Sequence, residues 1–465
     1  MDPKDFLPGY DWPAPHNVAP FLHQKETAAF LSGQRKAFCF NEQGTGKTAS
    51  VIWATDYLMK VGLIRRVLVV CPLSIMHSAW QQDLFKFAVH RRVDVAYGSA
   101  SKRKEVIKAG AEYVIINFDG VQICKSEIIN NCFDLVVIDE ASAYKNAQTD
   151  RWKTMRDVLK HVKGLWMLTG TPAAQSPLDA YGLAKLVNPE GLPMFFSQFR
   201  DMVMSPVNMF KWKPKPQAKE IVHKILQPAI RFEKRQCLDL PEVTFADRDA
   251  PMTPQQNKYY QKLRKDMLVE AAGEEITAVN AAVQINKLLQ IACGSVYTDT
   301  KEVLDFDASN RLAVVKEVID ETTNKVLVFV PFTHTIEQIY KYLTKNGITA
   351  DIINGDVPVH KRTELVKRFQ EQDDPKVLII QPQAASHGLT LTAADTIVWY
   401  APVTSVETYL QANARIDRPG QKNAMTVVHI KGSPVEGRMY SLLRQNMMTH
   451  AEIIDLYKQE LEEGA

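Results

Sequence analysis

Two clusters of residues, far apart in the chain, have the types and spacing that phosphate chemistry requires. Residues 41–48 read Asn-Glu-Gln-Gly-Thr-Gly-Lys-Thr, and residues 411–421 place Arg415 and Arg418 three positions apart. Glycines let main-chain amides point at a bound anion, and a lysine adds positive charge. A pair of arginines can stabilise the charge that develops on a γ-phosphoryl group during its transfer. Together the two clusters predict a site for a nucleoside triphosphate.

The glycine-rich run is predicted to be a phosphate-binding loop, because the apolar run Ala37–Phe40 precedes it and the helix-like stretch Lys47–Lys60 follows it. Lys47 would reach the β- and γ-phosphates, and Thr48 would ligate Mg²⁺. Asn41 stands where the usual form of this motif has its first glycine, so the strand-loop-helix order supports the assignment. We therefore expect ATP and Mg²⁺ as cofactors. The nucleotide contacts predicted in this loop are Gln43, Gly44, Thr45, Gly46, Lys47, Thr48 and Ala49.

Two acids, Asp139 and Glu140, directly follow the apolar run Leu135–Ile138. Ligands of open α/β sheets bind at the carboxyl ends of the strands, so these acids are expected beside the loop. Asp139 is predicted to hold Mg²⁺, and Glu140 is predicted to orient or deprotonate the attacking water. An acid pair in this place commonly caps a helix instead. The presence of the phosphate-binding loop upstream favours the catalytic interpretation.

Three further segments carry weaker signals, each of which is also consistent with an ordinary turn or a solvated helix. The amide of Gln24 can donate and accept together, which suits the edge of adenine. The turn at residues 168–172 carries Thr169 and could couple the acid segment to another domain, and the small-residue turn at 384–391 would let a phosphate approach the backbone. Positions i, i+4 and i+7 share one helical face, and they are occupied by Gln411, Arg415 and Arg418. Gln411 is also predicted to contact the nucleotide.

Apolar, β-branched runs alternate with helix-like stretches in two separate parts of the chain, which predicts parallel sheets covered on both faces. In the first part the predicted strands are Ala37–Phe40, Val67–Cys71, Tyr113–Asn117, Leu135–Ile138 and Leu165–Leu168, and the helices are Lys47–Lys60, Ser74–Phe87 and Thr154–His161. In the second part the strands are Lys325–Val330, Ala350–Ile353, Val377–Ile380, Thr396–Tyr400 and Val427–Ile430, and the helices are Thr335–Asn346, Val359–Gln370, Ser405–Ile416 and a closing region Val435–Leu461. Between the two parts, helices are predicted over Thr253–Glu270 and Val279–Ala292.

The composition is that of a soluble globular protein of two to three domains, with 465 residues, 46% hydrophobic and 23% charged. No apolar run approaches the roughly 20 residues that span a bilayer, and the N-terminus has no signal-peptide character. Six scattered cysteines without a Cys-x-x-Cys pair indicate reduced thiols in an intracellular protein, with no zinc site. A basic stretch at 211–235 holds eight Lys/Arg against two acids. Such a stretch can neutralise nucleic-acid phosphates, although a solvated linker is the simpler interpretation.

The order of these segments resembles superfamily-two helicases, and in particular the Swi/Snf-type branch of double-stranded DNA translocases. The likeness extends over about residues 20–450. The segments that are similar to motifs of that branch are Asp139-Glu140-Ala141-Ser142 with Lys145-Asn146, Leu226–Leu240 with Pro241, Ile285–Cys293, Gly355 with Arg362, and Gln411…Arg415…Arg418-Pro419-Gly420-Gln421. The chain differs from the usual residues of the branch at Ser142, Ser386-His387, Thr390 and Thr404.

The resemblance implies an α/β fold of two RecA-like lobes with parallel sheets and helical protrusions. Residues 1–20 would form an N-terminal arm, 21–230 lobe 1 with a protrusion at about 176–230, 231–300 the inter-lobe linker and the protrusion of lobe 2, and 301–465 lobe 2 with C-terminal helices. The resemblance also implies a catalytic set of Lys47, Asp139, Glu140, Arg415 and Arg418. The DNA contacts that it implies are Ser74, Lys145, Asn146, Thr169, Ser386, His387, Gly388 and Thr390.

The activity implied by the resemblance is ATP-driven movement along, or remodelling of, double-stranded DNA. The chain resembles compact stand-alone members from microbes and their viruses, which implies a monomeric motor core in the cytoplasm of a microbial or virus-infected cell. Three alternatives remain: a strand-separating DNA or RNA helicase, the motor subunit of a larger restriction or repair complex, and a non-hydrolysing scaffold that clamps DNA. The last would be expected to lack Lys47, Glu140 or an arginine, and all are present.

Overall fold

The computed structural model describes residues 7–15, 18–170, 172–173, 176–206, 212–271, 278–297, 303–385 and 389–446, together with Leu456 and Gln459. The chain divides into two compact units, one of residues 1–206 and 213–239 and the other of residues 207–212 and 240–465. Across the described residues, every helix is too short or too polar to cross a lipid bilayer.

The first unit is built on a seven-stranded sheet in which all paired strands are parallel. Its strands are β1 (Lys36–Cys39), β2 (Val67–Cys71), β3 (Val93–Ala96), β4 (Tyr113–Asn117), β5 (Leu135–Asp139), β6 (Gly164–Leu168) and β9 (Ala229–Ile230). Short strands β7 (Met204–Pro206) and β8 (Trp212–Pro214) lie outside this sheet. The order across the sheet is β3-β4-β2-β5-β6-β1-β9. Strands β2 and β4 are buried along their whole length, as the continuous apolar runs predicted.

The register of three neighbouring strands brings the predicted chemistry to one edge of this sheet. Leu168, the last residue of β6, is paired with Cys39 at the end of β1 and with Asp139 at the end of β5. The loop that follows β1 and the acids that end β5 therefore leave the sheet on either side of the same strand.

The helices of the first unit are α1 (Leu22–Ser32), α2 (Lys47–Lys60), α3 (Gln82–Phe87), α4 (Ala100–Lys108), α5 (Phe118–Ile123), α6 (Lys125–Asn130), α7 (Asp150–Val158), α8 (Asp179–Val187), α9 (Phe196–Val203), α10 (Ala218–Ile225) and α11 (Lys234–Cys237). Helix α2 has the predicted bounds. The prediction of one continuous helix over Ser74–Phe87 is wrong, because a 3₁₀ turn (Leu73–Ile75) and a π-helical turn (Met76–Gln81) precede α3. The π-turn rotates Trp80 into the core, where 1% of its surface is exposed.

The N-terminal arm packs on helix α2 of the first unit. Leu7 and Tyr10 are buried in the same hydrophobic cluster as Trp53. The Tyr10 hydroxyl donates to Asp56 Oδ2 at 2.7 Å, and Trp53 Nε1 donates to the Pro13 carbonyl at 2.8 Å. Prolines stiffen the arm, so fewer conformations are lost when it is laid along the helix.

The second unit contains a six-stranded sheet that is parallel throughout. Its strands are β10 (Val243–Asp249), β13 (Lys325–Phe329), β14 (Ala350–Ile353), β15 (Val377–Ile380), β16 (Ala394–Trp399) and β17 (Met425–Lys431), in the order β10-β17-β16-β13-β15-β14. Strands β11 (Ser295–Tyr297) and β12 (Val303–Asp305) form a separate antiparallel pair. The two parallel sheets and their helices confirm the predicted α/β fold class.

The helices of the second unit are α12 (Pro254–Ala271), α13 (Ala278–Cys293), α14 (Ser309–Glu321), α15 (Thr333–Lys345), α16 (Val359–Glu371), α17 (Pro382–Ala385), α18 (Val406–Asn413) and α19 (Pro434–Arg444). The prediction that Gln411, Arg415 and Arg418 share one face of a helix is wrong, because α18 ends at Asn413. Pro419 and Gly420, which favour a turn, follow soon after. Most of the predicted closing helical region after Arg444 lies outside the described residues.

A buried ion pair connects five elements of the second unit. The Arg311 guanidinium on α14 and the Glu436 carboxylate on α19 form a salt bridge, and both side chains are at most 2% exposed. The guanidinium also donates to the carbonyls of Ala292, Tyr400 and Ile430, at the ends of α13, β16 and β17. Glu436 in turn accepts from the Gly432 amide at 2.7 Å. These hydrogen bonds take the place of the water molecules that the two charged groups lose when they are buried.

Replacing Arg311 by leucine is expected to destabilise the second unit by about 3–5 kcal/mol, since Glu436 would be left buried without its partner. The measurement is the free energy of unfolding from urea denaturation, followed by hydrogen exchange of the β16 and β17 amides. The control is Lys367→Ala, which removes an exposed pair with Glu371 and should cost less than about 0.5 kcal/mol. An Arg311→Leu protein within 1 kcal/mol (about one hydrogen bond) of the wild type would contradict this assignment.

Candidate nucleotide-binding site

The loop between β1 and α2 has backbone conformations that only glycine adopts easily. Gly44 and Gly46 have φ values of 85° and 76°. A Cβ atom on Gly46 would lie 2.0 Å from Nε2 of Gln24, so a side chain is excluded there by space as well as by conformation. Helix α2 begins at Lys47, directly after Gly46. Free amides at this helix start point toward the loop, which is the arrangement that binds phosphate.

The Lys47 ammonium is held by main-chain oxygens of its own loop. Its Nζ atom donates to the Asn41 carbonyl at 2.7 Å and to the Glu42 carbonyl at 3.1 Å. Lys47 and Thr48 are both half-buried at the first turn of α2. A phosphate in the loop would compete with these carbonyls for the same cation, and its negative charge makes it the stronger acceptor.

Asp139 is an acid on which the charge of this cation acts. Burial raises the pKa of the Asp139 carboxyl, whereas the Trp80 indole, the Lys47 charge and the Glu140 amide lower it. Trp80 Nε1 donates to Oδ2 at 2.9 Å, and the Glu140 amide donates to Oδ1 at 2.9 Å. The carboxylate is therefore oriented through both oxygens while its negative charge is only partly balanced.

Glu140 follows with φ 51°, a left-handed conformation that is uncommon for a residue with a Cβ atom. Such strain persists only where the surroundings hold it, and it is concentrated at functional sites. Glu140 is thus the residue at which the chain turns out of β5, directly after Asp139.

The residues of this site fit a Mg²⁺–nucleotide complex. The half-buried Asp139 carboxylate with its raised pKa and the Thr48 hydroxyl at a helix start are oxygen ligands of the kind such a complex uses, and Lys47 supplies the cation. Within the described ranges, no group of three or more His, Cys, Asp or Glu forms a metal cluster. Mg²⁺ does not require one, because it keeps several water molecules and binds through one or two carboxylates and the phosphates.

Gln24, the predicted adenine contact, is buried and bonded at both ends of its amide. Its Oε1 atom accepts from the Phe21 amide at 2.9 Å, and its Nε2 atom donates to the Thr45 carbonyl at 3.3 Å. His23 Nε2 lies 2.9 Å from the same carbonyl, and burial lowers the pKa of His23. Helix α1 thus supports the loop from one side, and the adenine contact stays a prediction.

The predicted DNA contacts of the first unit are spread over different environments. Ser74 is half-buried in the 3₁₀ turn after β2, and Asn146 is exposed. Lys145 forms an ion pair with Asp179 at 3.5 Å. Thr169 is 1% exposed, and its amide donates to the Cys39 carbonyl. Their role in binding DNA remains a prediction.

In the second unit, the two predicted catalytic arginines converge on one main-chain oxygen. Arg415 Nη1 and Arg418 Nη1 lie 3.2 and 3.0 Å from the Leu389 carbonyl. Arg418 also donates to Thr390 Oγ1 at 2.7 Å, and Arg415 Nε donates to the Gln411 carbonyl at 2.7 Å. The turn after α18, and not a shared helical face, therefore brings Arg415 and Arg418 together. Ser386, His387 and Gly388 lie outside the described residues.

Trp80, His23 and Phe232 contact the site and were not predicted to do so. Trp80 donates to Asp139, and the Phe232 amide donates to Asn41 Oδ1 at 3.0 Å. A buried tryptophan needs a partner for its N–H group, and this was the available signal for Trp80. Main-chain contacts such as that of Phe232 leave no signal in side-chain types.

Replacing Trp80 by phenylalanine removes the indole donor and is expected to raise the pKa of Asp139 further. Nucleotide binding that requires the ionised carboxylate is lost when the pH falls through the pKa of Asp139. In the variant this loss should therefore occur at a higher pH than in the wild type. We expect the acid midpoint to move up by about one pH unit, since a hydrogen bond to a charged group contributes about 1.5–3 kcal/mol. The measurement is Mg²⁺-dependent binding of a fluorescent ATP analogue from about pH 4 to about pH 9.

The matched control for this experiment is Trp166→Phe. Trp166 is equally buried in the same cluster, but its indole donates to the Gln34 carbonyl. A packing defect in the core would change nucleotide binding in both variants. Loss of the hydrogen bond to Asp139 should shift the acid midpoint only in Trp80→Phe. Equal midpoints for the two variants would contradict the role given to Trp80.

Comparison with known proteins agrees with the geometry of this site. Residues 23–297 match the SNF2-related domain, and residues 310–420 match the helicase conserved C-terminal domain. An uncharacterized ATP-dependent helicase of Mycoplasma genitalium is 26% identical over 402 residues, which cover 84% of this chain and 37% of that protein. The ATP-dependent DNA helicase DDM1 of Arabidopsis thaliana is 26% identical over 431 residues, with 84% of this chain and 55% of that protein covered.

Among solved structures, the Sulfolobus solfataricus SWI2/SNF2 ATPase core in complex with dsDNA matches with a TM-score of 0.47 and 21% identity, over 93% of this chain and 92% of that chain. The chain spans about two fifths of the length of the first curated relatives that it matches. The SNF2-related match alone covers more than half of the 465 residues. On the strength of this family match, the chain belongs to the SNF2-related family of ATP-dependent helicases.

Proposed function

We propose that this protein is a DNA-dependent ATPase that couples ATP hydrolysis to movement along, or remodelling of, double-stranded DNA. The observation that supports this most directly is the adjacency of a phosphate-binding loop and a half-buried acid, with the Lys47 charge acting on the Asp139 carboxyl. Hydrolysis needs both parts, because one binds the phosphates and the other holds the metal complex in place.

ATP would bind with its phosphates over the start of α2. Lys47 would exchange the carbonyls of Asn41 and Glu42 for the β- and γ-phosphates, and the loop amides would complete the cradle. Thr48 and Asp139 would hold Mg²⁺, whose contribution is to neutralise charge on the phosphate oxygens.

Glu140 would orient the attacking water and accept its proton. A carboxylate can act in this way when it is within hydrogen-bond reach of the water and is not committed to the metal. The division of roles fits the difference between the two acids. Asp139 accepts hydrogen bonds through both carboxylate oxygens, whereas Glu140 occupies the left-handed turn that follows β5.

Arg415 and Arg418 would supply positive charge to the γ-phosphoryl group in the transition state. Both are held by the Leu389 carbonyl in the second unit, so the pair acts as one preorganised cationic group. Gln411, 2% exposed, would support Arg415 through its carbonyl. We further propose that residues 231–300 form the linker and second protrusion of a motor with its two lobes at 21–230 and 301–465.

The nucleic-acid part of the proposal is supported by the names of relatives, of which DDM1 is a DNA helicase, and by exposed cations of the first unit. These exposed cations are Lys213, Lys219, Lys224, Arg231 and Arg235. The DNA contacts proposed from the motifs are Ser74, Lys145, Asn146, Thr169, Ser386, His387, Gly388 and Thr390. A strand-separating helicase and the motor subunit of a larger complex are the competing functions.

The proposal predicts that duplex DNA stimulates ATP hydrolysis more than single-stranded DNA, forked DNA or RNA does. Replacing Glu140 by glutamine should keep nucleotide binding and remove turnover under all of these conditions, because the amide cannot accept the proton from water. Steady-state ATPase assays with each nucleic acid, alongside nucleotide titrations, measure both effects. Turnover that persists in the Glu140→Gln protein would exclude the assigned role, and preferential stimulation by forked DNA or RNA would favour the competing helicase.

Replacing Arg415 by alanine should lower kcat by roughly 10³-fold or more, with ATP binding nearly unchanged, because an arginine of this kind acts mainly in the transition state. Arg415→Lys should recover only part of the rate, since lysine lacks the planar fork. Lys422→Ala, which removes a nearby exposed cation, is the control. A kcat for Arg415→Ala close to that of Lys422→Ala would exclude Arg415 from catalysis, provided that both proteins have wild-type melting temperatures.

A further inference from the structure

The phosphate-binding loop of the first unit is hydrogen-bonded to the segment that ends this unit. We call residues 228–239 the connecting segment, because the chain passes from it into the second unit at Leu240. Its strand β9 lies parallel to β1, and the amides of Phe38 and Phe40 donate to the carbonyls of Pro228 and Ile230 at 2.9 and 2.8 Å. The segment therefore begins as the edge strand beside the strand that leads into the loop.

The connecting segment continues alongside the loop beyond the end of β1. The Glu42 amide donates to the Phe232 carbonyl at 3.0 Å, and the Phe232 amide donates to Asn41 Oδ1 at 3.0 Å. The Lys234 amide then donates to Glu42 Oε2 at 3.0 Å. Asn41 and Glu42 thus form hydrogen bonds to the connecting segment, through the Glu42 amide and through both side chains.

Asn41 explains why the first glycine of the usual motif is absent here. Its side chain is 1% exposed, and it bridges two elements, since Nδ2 donates to Thr27 Oγ1 at 2.8 Å and Oδ1 accepts from Phe232. A glycine at this position would lose the bridge between α1 and the connecting segment. The asparagine therefore adds two hydrogen bonds that a glycine could not make, one to α1 and one to the connecting segment.

Glu42 combines the contacts of the loop with those of the connecting segment. Its carbonyl accepts from Lys47 Nζ at 3.1 Å and from Thr45 Oγ1 at 2.7 Å, while its carboxylate accepts from the Lys234 amide. A phosphate in the loop would compete with the Asn41 and Glu42 carbonyls for the Lys47 ammonium. Binding of nucleotide therefore changes the hydrogen bonds of the residue that holds the connecting segment.

We propose that Glu42 is a positioning residue that couples the occupancy of the phosphate-binding loop to the conformation of the connecting segment. The inference rests on the proposed function, because it takes ATP as the ligand of the loop. The hydrogen bond from the Lys234 amide to the Glu42 carboxylate carries the coupling. The nucleotide state of the first unit is thereby communicated to the stretch of chain that leads into the second.

The Lys234 amide can be removed with little disturbance of the backbone. Lys234 is the first residue of α11, where proline is favoured because its fixed φ suits the helix start. Glu233 before it has an extended conformation, with φ −82° and ψ 135°, which is what a residue preceding proline requires. The test variant is therefore Lys234→Pro. Lys234→Ala is its control, because alanine also removes the side chain but keeps the amide.

The first measurement is hydrogen exchange of residues 229–238 with and without a non-hydrolysable ATP analogue, in the full-length protein. In the wild type and in Lys234→Ala, the analogue is expected to change exchange in this segment by about tenfold, the effect of one hydrogen bond to a charged group. In Lys234→Pro the same segment should respond less than about twofold (within the range of a surface substitution). Affinity for the analogue should stay within about threefold in both variants, since neither change touches the phosphate-binding groups.

The second measurement is the ratio of ATPase rates with and without duplex DNA. This ratio is expected to fall about tenfold in Lys234→Pro and to stay at the wild-type value in Lys234→Ala. A connecting segment that is indifferent to the analogue in a wild-type protein that binds it would overturn the coupling and leave the nucleotide site intact. Absence of analogue binding in the wild type would instead overturn the proposed function. Equal behaviour of the two variants would also overturn the coupling.

Discussion

The proximity of the Lys47 ammonium to the half-buried Asp139 carboxylate is the interaction on which the site depends. Burial alone would favour the neutral acid, and the cation is one of three groups that oppose this. Parallel pairing of β1, β6 and β5 sets the distance between the two, because Cys39, Leu168 and Asp139 end their strands in register. A slip of one residue would turn Asp139 to the other face of the sheet. The fold therefore fixes the electrostatics before any ligand is present.

Much of this arrangement could be predicted from the sequence. Strands β2 and β4 and helix α2 have the predicted bounds, because continuous apolar runs and a glycine-rich turn are strong local signals. Strand β3 was missed because only one of its four residues is buried, so its pattern is weak. Strand β10 was missed for a similar reason, since its residues are all half-buried or exposed. At such edges neighbouring strands decide the structure more than local preference does.

The errors within the site have a different cause, because the deciding interactions are not local. Trp80 reaches Asp139 only because a π-turn interrupts a stretch that has a good helical pattern. Arg415 and Arg418 meet at the Leu389 carbonyl after their helix has ended, which residue spacing along a helix cannot indicate. The residue types were sufficient to select these arginines. The geometry of the two arginines depends on the turn after α18 and on the Leu389 carbonyl, which lies 26 residues before Arg415 and 29 residues before Arg418 in the chain.

Gly46 and Gln24 constrain each other in a way that bears on recognition of the base. The amide of Gln24 occupies the space where a side chain at position 46 would lie, and it bonds the Phe21 amide and the Thr45 carbonyl. An adenine that engages this amide has to replace both hydrogen bonds, each with a net contribution of about 1 kcal/mol. Every common base carries both a donor and an acceptor on one edge, so a base that contacts Gln24 has to match the positions of both amide atoms. Under the proposal that Gln24 contacts adenine, this geometric match would be the requirement that the amide places on the base.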